Sequence, residues 1–148
     1  MPEAEQSKIV VGVDGSEPSL VALQAAVDLA RVLNGKLEVV TVWDFPTATG
    51  IPVPLPPEFN PAAIAAEVAD AAVRKVLGSE SEPAAEVKTV EGRPRVVLPA
   101  MSRDARMLVV GSNGHNRIEG ALLGSVSESC VRHASCPVLV VPSPPDRS

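Results

Sequence analysis

The stretch Met107 to Ser127, MLVVGSNGHNRIEGALLGSVS, decides the fold. Its opening residues Met107-Leu108-Val109-Val110 form an apolar run that reads as a buried strand, and a helix-like segment follows from Gly124 to about His133. Between them lies a loop with Gly111, Gly114 and Gly124 in the spacing G-x2-G-x9-G-S. A strand that feeds a glycine-bearing loop ending at a helix start is suited to phosphate. Glycine lets the backbone approach the anion, and the first N–H groups of the helix point at it. Taken alone, the spacing fits an ordinary flexible loop equally well.

The rest of the chain supplies the frame for this loop. Lys8 to Val13 (KIVVGV), Lys36 to Trp43 (KLEVVTVW), Ala85 to Val90 and Pro137 to Val141 are short apolar runs that read as further strands. Leu20, Leu23, Val27, Ala30 and Leu33 recur at helical spacing after a candidate N-cap, Ser16, and Asn34-Gly35 closes that helix. Asn60-Pro61 opens a second helix carrying Ile64, Val68, Ala72 and Val76. A third, short helix is expected from about Arg95 to Ser102, with Pro99 near its first turn. Asp44 to Asn60 is rich in proline and predicts a long irregular loop, and the tail 143–148 predicts a frayed end. The alternation βαβαβαβαβ, with nearly continuous apolar strands, predicts one domain: an open parallel α/β sheet covered by helices on both faces. Ligands of such sheets bind beyond the C-terminal strand ends, where strand order reverses.

Composition narrows the function. The chain has 148 residues, a net charge of −5 and only 2% aromatic residues, which disfavours nucleic acid as the partner. No signal peptide and no apolar run of membrane-spanning length is evident, so a cytoplasmic protein with free Cys130 and Cys136 is expected. Metal binding by His115, His133, Cys130 and Cys136 lacks a ligand spacing. His133 suits the C-terminal end of its helix. The common nucleotide fingerprints GxGxxG and GxxxxGK[ST] are absent, because Gly124 is followed by Ser125 and not by Lys.

The full pattern, G-x2-G-x9-G-S after an apolar strand and before SESCVRHASCPVLVV, resembles the universal stress protein family, in its ATP-binding subset. KIVVGVDGSEPSLVALQAAVDLA resembles that family's opening strand, acidic turn and first helix, so the similarity covers nearly the whole chain. The resemblance implies five parallel strands in the order 3-2-1-4-5 and a homodimer through the last strand, Pro137 to Val141. It also implies a ligand-binding set: Val13, Asp14, Val42, Val110, Gly111, Gly114, His115, Gly124, Ser125, Val126 and Ser127. Asp14 would hold ribose hydroxyls or a phosphate-bound Mg²⁺, and Val42 would offer backbone groups to adenine. The glycines would wrap the phosphates, with Ser125, Val126 and Ser127 donating N–H groups and the serines their hydroxyls. Two features depart from the family pattern, Arg106 before the fourth strand and Pro99 within a helix.

These residues favour holding a nucleotide over turning it over. Phosphoryl transfer needs charge neutralisation and a positioned nucleophile, and Arg117 is the loop's only formal cation. Neutral donors suit one or two phosphates, so AMP-type ligands including cyclic AMP are expected to compete with ATP. The expected role is a nucleotide sensor, store or regulator. A nucleotide-independent dimeric interaction module and a slow ATP hydrolase are the rival readings.

Overall fold

Ser16 and Asn60 begin the two long helices. The Ser16 hydroxyl accepts the N–H of Ser19, and the Asn60 side chain accepts the N–H of Ala63 at 3.1 Å. Proline follows each cap within the first turn, where a missing N–H costs nothing. Helix α1 spans Glu17–Leu33 and ends at Asn34, whose φ of 52° is left-handed; helix α2 spans Pro61–Leu77 and ends at Gly78. The computed structural model describes residues 7–44, 47–48, 51–113 and 123–142. The tail and the centre of the glycine loop, with Gly114, His115 and Arg117, lie outside them.

Five strands form one parallel sheet: β1 (Lys8–Gly12), β2 (Lys36–Trp43), β3 (Ala85–Glu91), β4 (Met107–Gly111) and β5 (Val138–Val141). Their spatial order is β3-β2-β1-β4-β5, so the direction of winding reverses between β1 and β4. β1 pairs with β2 from Lys8 to Gly12 but with β4 only from Ile9 to Val11. Inside the proline-rich segment, Thr47–Ala48 and Ile51–Pro52 form a short antiparallel ladder where the sequence predicts irregular chain. Proline is compatible with it because Pro52 sits at the end of the ladder.

Both faces of the sheet are buried. Ile9, Val11, Leu37, Val39 and Val109 point to α1 and α2; Val10, Val40, Leu108 and Val110 point to the opposite side. The helices that cover that side are short: α3 (Pro94–Met101) and α4 (Ser125–His133). The apolar stripes differ in detail from those expected. α1 buries Ala22, Leu23, Ala26, Val27 and Ala30, while Leu33 is exposed; α2 buries Ala65, Ala69, Ala72 and Leu77, while Ile64 is exposed. Alanine sits at the closest approach of helix to sheet, and the bulkier Val68 and Val76 pack at its flanks.

α3 begins at Pro94, so Pro99 lies inside it rather than in its first turn. Pro99 has no N–H for the carbonyl of Arg95, which would otherwise receive it. The Ser129 hydroxyl of α4 donates to that carbonyl instead, at 2.5 Å. One turn later the Ser102 hydroxyl donates to the Pro99 carbonyl at 2.6 Å and accepts the N–H of Ser135 at 2.7 Å. The proline is thereby a docking point for α4 and the segment that follows it.

The N-terminal strand ends carry a charge network remote from the loop. Glu38, 3% exposed, lies 3.3 Å from the Lys8 ammonium and 3.5 Å from that of Lys88. Burial pulls the Lys8 pKa down, but its hydrogen bonds to Asp104 and Glu38 and their charges outweigh this and raise it. The same Lys8 contact holds the Asp104 carboxyl below its ordinary range.

Candidate functional site

The strand-order reversal leaves a crevice at the C-terminal ends of β1 and β4, and a cavity of about 260 Å³ fills it. Val40, Val42 and Val110 come from the sheet, and Leu98 of α3 and Val126 of α4 add apolar groups. Asp14, Ser16, Ser19, Asn113 and Ser125 supply polar groups. Of the residues proposed from sequence, Val13, Asp14, Val42, Val110, Gly111, Gly124, Ser125, Val126 and Ser127 all line this cavity. Gly114 and His115 lie outside the described residues. Asn113, Leu98, Pro94 and Ser19 are lining residues that the sequence reading did not single out, and Ser16, expected only as an N-cap, lines it too. The signal for Pro94 and Leu98 was the β3–α3 turn, which emerges at the same edge of the sheet as the glycine loop.

Asp14 closes one side of the cavity. One of its oxygens accepts the Ser16 N–H at 2.9 Å and the Ser16 hydroxyl, so the carboxylate helps shape the start of α1. The Asp14 N–H donates to the Ser19 hydroxyl at 3.3 Å, and the Ser19 hydroxyl donates to the Ser16 carbonyl at 2.8 Å. Just before it, the buried Thr41 hydroxyl donates to the Val13 carbonyl at 2.9 Å, which fixes the exit of β1 against β2. Gly15 follows with a φ of 84°, a conformation that favours glycine.

The opposite side is the start of α4. Gly124 is its N-cap and has no side chain to cap the helix; the N–H groups of the first turn have no acceptor within it. The N–H of Gly124 donates to the Ser112 carbonyl at 2.6 Å. The Ser127 hydroxyl, 2% exposed, lies 3.0 Å from the Ser112 carbonyl and 3.1 Å from that of Gly124. Its proton is therefore engaged within the protein, and Ser125 presents the accessible hydroxyl of the pair. The buried Oδ1 of Asn113 has no hydrogen-bond partner among the described residues. Glycine is needed here for space rather than for φ: Gly124 has a φ of −71°, but a Cβ would sit 3.3 Å from the Ser112 carbonyl oxygen. A Cβ on Gly111 would meet the Pro18 carbonyl oxygen at 2.9 Å.

The thiols lie beneath α4. Cys130 is fully buried and Cys136 partly buried, and both are free. Burial, then the charge of Cys136, pushes the Cys130 thiol up to about 12, and burial raises Cys136 as well. Neither is a ready nucleophile. Among the described residues no three His, Cys, Asp or Glu side chains are grouped to hold a metal, and no helix is long and apolar enough to cross a membrane. Asp14 is the one carboxylate among the described residues lining the cavity. The donors present fit a nucleotide: apolar walls for a base, and small residues with backbone N–H groups for a phosphate.

Known proteins resemble this chain over nearly its whole length. Residues 6–142 match the model of the Universal stress protein family. A universal stress protein of Methanocaldococcus jannaschii is 33% identical over 141 residues, covering 93% of this chain and 82% of that one. A universal stress protein of Mycobacterium tuberculosis is 36% identical over 146 residues, and the chain spans 49% of its length. A crystal structure of a universal stress protein in complex with cAMP is 29% identical, with a TM-score of 0.66, covering 95% of this chain and 100% of that one.

Proposed function

The chain belongs to the universal stress protein family, and from that premise we propose that it binds an adenine nucleotide and acts as a nucleotide-responsive regulator or store in the stress response. The observation that carries this reading is the cavity at the strand-order reversal, bounded by Asp14 on one side and by the uncapped start of α4 on the other. Val42 and its apolar neighbours accept the adenine face, and Asp14 takes the ribose hydroxyls. Gly111 and Gly124 with the N–H groups of Ser125, Val126 and Ser127 hold the phosphate nearest the sugar, and Gly114 and His115 extend the same loop. A related protein has been crystallised with cAMP, which supports a ligand of the AMP type. Mg²⁺, where present, would be held by Asp14 together with phosphate oxygens.

The role is holding rather than turnover. Among the described residues lining the cavity, none other than Asp14 could serve as a general base, and none is a cation. We further propose a homodimer through β5, the edge strand, whose residues Val138–Val141 are only half-buried in the single chain. Adenine nucleotide released from the purified protein on denaturation, identified by mass spectrometry, tests the main reading. Calorimetry with AMP, cyclic AMP and ATP, with and without Mg²⁺, then ranks the ligands. A protein that purifies without nucleotide and binds none of the three is an interaction module, and the reading is wrong.

A further inference from the structure

Every residue from Ile51 to Pro57 is a proline or stands directly before one: Ile51-Pro52-Val53-Pro54-Leu55-Pro56-Pro57. The proline ring fixes its own φ, and its Cδ pushes the preceding residue out of the helical region toward extended backbone. The whole segment is thereby restricted before the fold forms around it. Ile51 and Pro52 close the antiparallel ladder with Thr47 and Ala48, and Val53 to Pro56 belong to no helix or strand. At the far end the Phe59 N–H donates to the Pro56 carbonyl at 3.0 Å, and Asn60 then caps α2. The fold holds the segment at both ends.

Exposure along it matches the three-residue turn of polyproline II. In that backbone Ile51, Pro54 and Pro57 share one edge, and Val53 and Pro56 share a second. All five are exposed, Ile51 at 67% and Val53 at 39%. Leu55, on the third edge, is partly buried. Two edges thus face outward while the third turns toward the protein. The carbonyls of Val53, Pro54 and Leu55 accept no hydrogen bond from the described residues. Residues 51–57 carry no charge, and the exposed Phe59 adds apolar surface just beyond them.

We propose that this segment is a docking ligand for a protein module whose groove is lined by aromatic side chains. Such a groove takes a polyproline II strand by two of its edges: prolines fill the slots between aromatic rings, and donors at the groove bond the open carbonyls. Val53-Pro54 and Pro56-Pro57 each offer one residue from each outward edge, one turn apart. Because the prolines restrict the chain in advance, docking costs little further conformational entropy, and a short neutral segment suffices. A second copy of this chain is not the occupant, since its aromatic residues are only Trp43, Phe45 and Phe59, too few to line such a groove. The proposal does not depend on the nucleotide reading.

Calorimetry of the full chain against three purified modules that read polyproline II, an SH3, a WW and an EVH1 domain, tests this. At least one is expected to bind the wild type with a Kd of about 100 μM or tighter. Pro54→Ala and Pro57→Ala are each expected to weaken that binding by about tenfold, and Glu58→Ala by less than about twofold. All three side chains are exposed, so the variants are expected to melt as the wild type does. No binding to any of the three modules, or binding that Pro54→Ala and Pro57→Ala leave unchanged, overturns the proposal. Sedimentation that shows self-association of the wild type, lost in Val53→Ser, assigns the surface to a second copy and overturns it as well.

Discussion

The hydroxyl of Ser127 lies 3.0 Å from the carbonyl oxygen of Ser112, and this bond ties the first turn of α4 to the exit of β4. The loop that leaves the sheet at one of these residues returns to the helix at the other, so its two ends are pinned together. Ser127→Ala removes one of two donors to the Ser112 carbonyl, which keeps the Gly124 N–H, at a cost of about 0.5–1.5 kcal/mol. Urea unfolding is expected to show that loss, and calorimetry a weaker but measurable nucleotide affinity. Unchanged stability would mean that the bond is not formed in solution.

Gly124→Ala probes the same junction by crowding it. The backbone angles suit alanine, but the added carbon sits 3.3 Å from the Ser112 carbonyl and 3.4 Å from the Asn113 Cα, so the loop must shift by a few tenths of an ångström. Nucleotide affinity is expected to fall by about tenfold or more, with a drop in melting temperature of only a few degrees. Gly124→Val, whose branched side chain finds no room against that backbone, is expected to lose binding and to destabilise the fold as well. Retention of full affinity by Gly124→Ala would remove this loop from the site.

The bond between Ser129 and Arg95 makes a conditional prediction. Ser129→Ala strips the Arg95 carbonyl of the hydroxyl that replaces the missing N–H of Pro99, and is expected to cost about 1 kcal/mol. In a Pro99→Ala background the helix regains its own N–H, so the same substitution is expected to cost much less. A double-mutant cycle by chemical denaturation measures the difference. Equal costs in the two backgrounds would show that the hydroxyl is not the substitute donor.

Much of this was legible in the chain because the signals are local. The runs around Val10, Val39 and Val109 and the caps at Ser16 and Asn60 each depend on a few neighbouring residues, and the strand order followed from the family resemblance. The face that α1 and α2 bury was less legible. Bulky Ile64 and Leu33 stand out in a periodic pattern, yet alanines such as Ala26 and Ala69 meet the sheet because only a small side chain allows that approach. Leu98 and Pro94 were missed as site residues for a different reason. They reach the crevice through the tertiary crossing of α3 over the sheet, which no spacing records. The ladder at Thr47 and Ile51 was hidden by surrounding prolines.

The alkaline behaviour of the fold follows from Cys130. The folded protein holds the thiol proton up to about 12, whereas the ordinary value is 9.0. This stabilisation is complete below about pH 9 and is lost as the pH rises toward the folded value, because only the unfolded chain then releases the proton. Cys136 contributes with the same sign. Cys130→Ala is expected to be less stable at about pH 7.5, through the cavity it leaves, but to lose less stability than the wild type on going to about pH 10.5. Denaturation curves at the two pH values check it; parallel losses would contradict the assignment.

The sheet pairs least where it matters most to the ligand. β2 runs alongside β3 from Leu37 to Trp43, but β1 and β4 are matched only over Ile9 to Val11, and beyond that point their ends part around the cavity. The β1–β4 seam is the shortest pairing in the parallel sheet, although both hydrophobic layers continue across it. The proposed nucleotide, touching Asp14 beyond β1 and Gly111 of β4, would act as a clasp across that seam. On that proposal occupancy adds to the stability of the whole domain, so adenine nucleotide concentration would act as its thermostat.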